Sequence, residues 1–275
     1  MSALGSVALL RKALCKPLEL AATPIAHERV TRVRGHRPWP MPGRSWVMAQ
    51  SWVDLLFAHW SIAPEQLASV VPPQLPLDTR EGRAWIGITP FAVRNLRLRP
   101  TLPVPFLSSF SEINVRTYVR FGGRPGIYFF SLDAGSSAAV AAARWSYRLP
   151  YFRARMSMWR EGPWLRFASE RTGPEQDVPS AVFGARYRGV GSPAPPAQGS
   201  LEHWLTERYC LYTLDARQQV LRGEIHHPPW PLQAAEADLD IDDMTAQIGV
   251  ELEGQPMLHF AGRQDVVFWT LERAA

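Results

Sequence analysis

The segment 112–120 constrains the fold most, because its residues alternate along the chain between two different kinds of side chain. In a β-strand successive side chains point to opposite faces of the sheet. One face would therefore carry Ile113, Val115, Thr117 and Val119, and the other Glu112, Asn114, Arg116, Tyr118 and Arg120. This period of two predicts a strand with one apolar face and one polar face.

Further segments rich in β-forming residues occur along most of the chain. Two Gly- and Pro-containing dipeptides at 122–126 predict a turn into a second strand at 127–133, the hairpin partner of the first. Other strands are predicted at 84–91, 152–159, 164–169, 185–188, 210–214, 219–227 and 258–271. Short helices are expected at 64–67, 136–145 and 201–208. The sequence predicts a mostly β (α+β), mostly antiparallel fold with two or three short helices.

The first 47 residues differ from the remainder in charge. They carry eight Lys or Arg residues and two acids, whereas residues 48–275 carry 22 basic and 23 acidic residues. Prolines and glycines interrupt residues 37–44. We predict a basic, Pro-rich, poorly ordered extension at 1–47 and a single domain at 48–275. A targeting peptide is the alternative interpretation of the basic start.

Composition excludes several classes of function. No apolar run reaches the roughly 18 residues of a membrane-spanning helix, and the neutral body argues against nucleic acid as a partner. Motifs for nucleotides, metalloproteases and α/β-hydrolases are absent, so no metal and no cofactor are predicted. The two cysteines form no C-x-x-C pair, which favours a cytoplasmic location. A homo-oligomer is compatible with the sequence.

The polar face of segment 112–120 has two interpretations. If it faces solvent, no function follows from it. If it faces the interior, Glu112, Asn114, Arg116 and Tyr118 line a charge-paired cavity, because buried ions are costly unless paired. An antiparallel barrel commonly carries its ligand site in such a cavity. Glu112 would then be the candidate catalytic proton carrier, and Arg116 a bidentate anchor for a carboxylate or carbonyl.

Five strings carry a resemblance to a known family. They lie at 85–91, 110–119, 126–134, 143–154 and 227–232. Over about residues 48–272 the chain is similar to the YqjF-like family of uncharacterised bacterial proteins, which resembles the acetoacetate decarboxylase-like superfamily. The resemblance implies a closed antiparallel β-barrel with a central pocket.

The resemblance also implies site residues. In those decarboxylases an acidic strand residue is followed by a helix ending in Arg and then by Pro-Lys-Lys. Glu112, Arg144 and Pro150 match the first three positions, whereas Tyr151 and Phe152 replace the two lysines. Aromatic rings in place of amines suggest a flatter, more apolar ligand, with Tyr151 as a hydroxyl donor.

The missing lysines restrict the mechanism. The chain has only Lys12 and Lys16, and a Schiff base requires a lysine amine. Schiff-base decarboxylation is therefore excluded. We expect a pocket for a small organic acid or carbonyl compound with lysine-independent acid–base chemistry, in which Arg116 or Arg144 anchors the ligand. The alternative is a non-catalytic binding or sensor protein with the same pocket. Arg144, Tyr151 and Phe152 are candidate ligand-binding residues, as is His227, since His226 and His227 would point to opposite faces of a strand.

Overall fold

The computed structural model describes residues 22–104, 107–172 and 180–274. In this part of the chain the helices are α1 (residues 22–30), α2 (Pro64–Ala68), α3 (Ser137–Tyr147), α4 (Leu201–Thr206) and a short 3₁₀ helix (Ala246–Ile248). The strands are β1 (Met48–Ile62), β2 (Ala84–Leu98), β3 (Phe110–Phe121), β4 (Arg124–Ala134), β5 (Tyr151–Glu161), β6 (Trp164–Arg171), β7 (Val182–Ala194), β8 (Cys210–Leu214), β9 (Val220–His226), β10 (Leu232–Asp242), β11 (Met257–Phe268) and β12 (Glu272–Arg273). The prediction of a mostly β fold with short helices is confirmed.

All of these strands belong to one sheet in the order β12-β9-β8-β4-β3-β2-β1-β11-β10-β7-β6-β5. Neighbours pair antiparallel, except that β4 pairs parallel with both β8 and β5. Two additional pairings, β9–β11 and β4–β5, join the sheet to itself. The pairing β9–β11 forms a ring of seven strands: β9, β8, β4, β3, β2, β1 and β11. The pairing β4–β5 forms a ring of nine strands: β4, β3, β2, β1, β11, β10, β7, β6 and β5. The two rings share β4, β3, β2, β1 and β11.

The alternation of β3 is observed, and both of its faces are buried. Ile113, Val115 and Val119 are fully buried in the largest apolar cluster, together with residues of β1, β2, β6 and β7. On the other face Glu112 is 5% and Arg116 6% exposed. The polar face therefore does not face solvent, except at Arg120 near the end of the strand, because the curved sheet covers it as well.

Residues 22–47 differ from the poorly ordered extension that composition predicts. Val30 of α1 and Trp46 pack in a buried cluster with Ala49 of β1, Val267 of β11 and Trp269. Arg37 forms an ion pair of 2.6 Å with Glu224 of β9, and both side chains are 2% exposed. Composition cannot reveal this segment's order, because the buried acid that pairs with Arg37 lies 187 residues further along the chain. Residues 1–21 lie outside the described residues.

Within the described ranges, no helix is both long enough and apolar enough to cross a membrane.

Candidate functional site

A cavity of about 400 Å³ lies inside the seven-strand ring. Each strand of that ring contributes side chains to its wall, and α3 covers one side. The wall is largely apolar, with Leu55, Phe57, Phe91, Phe129 and Trp230 among its members. Along β1 the odd-numbered Leu55 and Phe57 face the cavity, while Leu56 and Ala58 face the apolar core. The period of a strand thus separates a hollow side from a packed side.

Glu112 is the acidic group of the cavity. It is 5% exposed, and the Tyr151 hydroxyl donates a hydrogen bond of 3.0 Å to its Oε2. Burial raises the pKa of Glu112 to about 8; the Tyr151 hydrogen bond opposes this rise and the charge of Asp133 adds to it. The pKa of Tyr151 is raised well above its ordinary value, chiefly by burial and then by Glu112. At neutral pH the resting site therefore holds a protonated carboxyl group, which can act as an acid.

An ion pair behind the cavity wall holds the start of β5. Asp133 and Arg171 are 3.0 Å apart, with side-chain exposures of 0% and 6%. The Arg171 guanidinium lies 4.2 Å from the centre of the Phe152 ring. Tyr151 pairs with Leu132 and Phe152 with Asp133 across the parallel β4–β5 contact. Because neighbouring strand residues face opposite sides, Tyr151 enters the cavity and Phe152 does not.

Arg116 is the basic group of the cavity that lacks a partner. It is 6% exposed, and among the described residues no side chain or carbonyl accepts a hydrogen bond from its Nε. Its guanidinium carbon lies 5.3 Å from the centre of the Phe57 ring. Gly87 lies opposite Arg116 in the register, and a Cβ there would lie 3.3 Å from Nε. An arginine cation buried without an acid is costly in free energy, and its N–H groups can donate to an anion or a polar ligand atom.

Two further polar groups on the same strip lack hydrogen-bond partners in the described part of the chain. They are Oδ1 of Asn114 and Oγ1 of Thr89. The two residues face each other across β2 and β3, and both line the cavity. Glu112, Asn114 and Arg116 alternate along β3, so the polar groups form one strip on an otherwise apolar wall.

His227 and Arg208 are further polar residues of the cavity lining. The ring nitrogens of His227 lie 2.8 Å from the Pro228 carbonyl oxygen and 3.3 Å from the Arg208 carbonyl oxygen. Burial lowers the pKa of His227. Arg208 pairs with Asp78 at 2.5 Å, both side chains being buried. Arg208 thus has a counter-ion among the described residues, although Asp78 also pairs with Arg120 at 2.9 Å and Arg208 Nη2 has no hydrogen-bond partner there.

Three of the predicted ligand-binding residues do not line the cavity. Tyr118 is buried beyond it, and its hydroxyl lies 2.6 Å from His59 Nε2. Arg144 is exposed, and its Nε donates to the Tyr151 carbonyl at 2.6 Å. Phe152 packs on the other side of β5. The structure does bring together Glu112, Asn114, Arg116, Tyr151 and His227.

Sequence reasoning missed Thr89, Arg208 and Gln50, which also line the cavity. Thr89 lies in the predicted strand at 84–91. Pairing this strand with the next one along the chain would have placed Thr89 beside the polar face of segment 112–120. Nothing in the sequence marks Arg208 or Gln50. In the described ranges no cluster of three or more His, Cys, Asp or Glu residues could hold a metal ion.

Comparison with solved structures defines the class of this fold. The enduracididine biosynthesis enzyme MppR with HEPES buffer bound is similar with a TM-score of 0.61 and 12% identity, covering 88% of this chain and 91% of that one. Acetoacetate decarboxylase from Legionella pneumophila is similar with a TM-score of 0.54 and 13% identity, covering 90% and 95%. The chain thus has the acetoacetate decarboxylase-like fold, and the described part of its cavity wall carries a carboxyl group and an arginine but no lysine.

Sequence comparison identifies the family within this class. The model of a family described as an uncharacterized conserved protein, DUF2071, matches residues 49–265. The uncharacterized protein YqjF of Bacillus subtilis strain 168 is 44% identical over 234 residues, covering 85% of this chain and 95% of that protein. The chain belongs to this YqjF-like family, as its sequence strings predict.

Proposed function

We propose that this protein binds a small organic acid or carbonyl compound in the cavity and performs acid–base chemistry on it. Arg116 anchors the ligand and Glu112 carries the proton. The observation that supports this most directly is the buried Arg116 guanidinium, which has no partner among the described residues and shares its strip with a protonated carboxyl group. A guanidinium can bind a carboxylate through two parallel hydrogen bonds.

The chemistry of the strip suits proton transfer. A protonated Glu112 can donate to a carbonyl or enolate oxygen of the ligand, and the resulting carboxylate can take a proton back. The Tyr151 hydroxyl already bonds to Glu112 Oε2 and would stabilise that carboxylate. Asn114 and Thr89 supply further polar atoms for the ligand.

The route of the acetoacetate decarboxylases through a lysine amine is not part of the proposal. Both lysines of the chain lie at positions 12 and 16, and Tyr151 stands where the resemblance places an amine. Removal of CO₂ through a Schiff base needs that amine. The protein is proposed to keep the pocket and to replace the amine with the Tyr151–Glu112 pair.

We also propose that both strand rings form closed barrels, as the pairings β9–β11 and β4–β5 suggest. A cytoplasmic location, and a small molecule instead of nucleic acid or membrane as partner, remain proposals from the sequence.

Calorimetric titration with short oxo acids, simple carboxylates and their methyl esters tests the proposal. The Arg116→Gln variant should lose most carboxylate affinity, since a hydrogen bond to a charged group contributes about 1.5–3 kcal/mol. Arg155→Gln is the matched control, because Arg155 is an exposed arginine paired with Glu170. Equal carboxylate binding by wild type and Arg116→Gln would refute the anchor.

The same ligands decide between an enzyme and a binding protein. Proton exchange at the carbon next to the carbonyl, followed by NMR in D₂O, should be catalysed by the wild type and not by Glu112→Gln. Tight binding without exchange in either protein would favour a sensor.

A further inference from the structure

We infer that the cavity selects amphipathic monocarboxylates, with one anionic head and an apolar body of roughly ten non-hydrogen atoms, over short polar oxo acids. This inference rests on the proposed binding function and adds the class of ligand to it. Three properties of the cavity each support it: its charge, the composition of its wall and its volume.

The charge of the cavity fits one negative charge on the ligand. Arg208 pairs with Asp78 at 2.5 Å, and Asp78 pairs at 2.9 Å with the more exposed Arg120 as well. Asp133, behind the wall, pairs with Arg171 at 3.0 Å. Among the described cavity residues, Arg116 is left as the cation without an acid. A second carboxylate on the ligand would find no cation free of an acid and would have to compete with Asp78 for Arg208, which is costly in free energy.

Away from the polar strip the wall is mostly aromatic and aliphatic, and Trp230 Nε1 is a buried N–H in it that has no hydrogen-bond partner among the described residues. Trp52 stacks on Trp230 with ring centres 5.9 Å apart and contacts Phe91 at 5.5 Å. Phe57 meets Trp230 edge-on at 4.9 Å. Leucines, isoleucine and the alanines of α3 continue this surface. Polar ligand atoms placed against these aromatic and aliphatic side chains, away from the Trp230 N–H, would lose their hydrogen bonds to water without replacement.

The volume exceeds what a short oxo acid fills. A cavity of about 400 Å³ corresponds to about a dozen water molecules at their share of liquid volume, roughly 30 Å³ each. Acetoacetate, with seven non-hydrogen atoms, would leave almost half of the space against an apolar wall. A medium-chain or aryl carboxylate fills it and gains the free energy of apolar burial.

Binding of a homologous series tests the inference. The probes are acetoacetate, butanoate, hexanoate, octanoate and decanoate, with octan-1-ol and the dicarboxylate suberate for comparison. From butanoate to about decanoate the affinity should rise roughly fourfold per methylene, the equivalent of about 0.8 kcal/mol. Octan-1-ol should bind about tenfold more weakly than octanoate because it lacks the charged partner of Arg116, and suberate should also bind more weakly.

A cavity-filling variant provides the second measurement. Ala139 lines the cavity from α3, so Ala139→Phe should shift the preferred ligand to a chain several carbons shorter. Ala141 on the same helix is exposed, and Ala141→Phe should leave the chain-length profile unchanged.

The outcomes separate the two proposals. If acetoacetate or butanoate binds as tightly as octanoate and requires Arg116, the proposed function stands and the inference about the ligand class is wrong. If no carboxylate of any length binds, or if Arg116→Gln binds them all unchanged, the proposed function fails and the inference fails with it.

Discussion

Replacing Glu112 with Gln should give the variant a stability advantage over the wild type that grows as the pH rises. The pKa of Glu112 is about 8 in the folded protein, against an ordinary value of 4.5. Between these values the folded state holds a proton that the unfolded state has released, so the wild-type free energy of unfolding falls with increasing pH. The stabilising contribution is fully present below pH 4.5 and is lost as the pH rises through 8. Glutamine has the same shape and no proton to lose.

The magnitude follows from the raised pKa. Each pH unit in this window changes the free energy of unfolding by up to about 1.4 kcal/mol. Between pH 4.5 and pH 7 the advantage of Glu112→Gln over the wild type should therefore grow by about 3 kcal/mol. The amide oxygen can still accept the Tyr151 hydrogen bond.

Urea unfolding of both proteins at half-unit pH intervals measures this difference. Glu253→Gln makes the same chemical change at an exposed position and should give a curve parallel to that of the wild type. A difference between Glu112→Gln and the wild type that is constant with pH would show that Glu112 is already ionised at neutral pH. The role of Glu112 as a resting proton donor would then be refuted.

Two further predictions concern the frame around the cavity. Glu224→Gln should lower the free energy of unfolding, measured in urea, by about 3–5 kcal/mol and should speed proteolysis at 31–47. The reason is that this buried acid binds Arg37 and Trp39 of the N-terminal segment. Glu236→Gln, at an exposed ion pair, should have neither effect. Gly126→Ala should cost about 1–3 kcal/mol by thermal unfolding, because its Cβ would lie 2.6 Å from the Tyr212 ring, whereas Gly43 has open space around it and Gly43→Ala should be neutral.

The two faces of β3 could be predicted from the sequence, but what the polar face contacts could not. The alternation of polar and apolar residues shows that Glu112 and Arg116 lie on the same face of the strand. The sequence of a single strand has the same pattern whether its polar face contacts water or lines a polar cavity. Only the pairing of distant strands into a ring, such as β9 with β11, buries this face.

The positions of the predicted ligand-binding residues that do not line the cavity have physical explanations. Tyr151 and Phe152 are consecutive in a strand and cannot both enter one cavity. Tyr118 lies further along β3, where two side chains cover its ring. The ring centre lies 5.2 Å from that of Trp204 and 4.8 Å from the guanidinium carbon of Arg208. Arg208 was missed because its position depends on an ion pair with Asp78, 130 residues away in the chain.

The strands shared by the two rings affect the energetics of ligand entry. β1, β2 and β3 line the cavity on one side and pack against the apolar core on the other. A cavity wall supported in this way resists collapse when it is empty, since moving it inward would open voids in a close-packed interior. Ligand binding should then require little rearrangement of the backbone and pay little ordering entropy. Amide hydrogen exchange in these three strands should accordingly be slow and nearly the same with and without ligand.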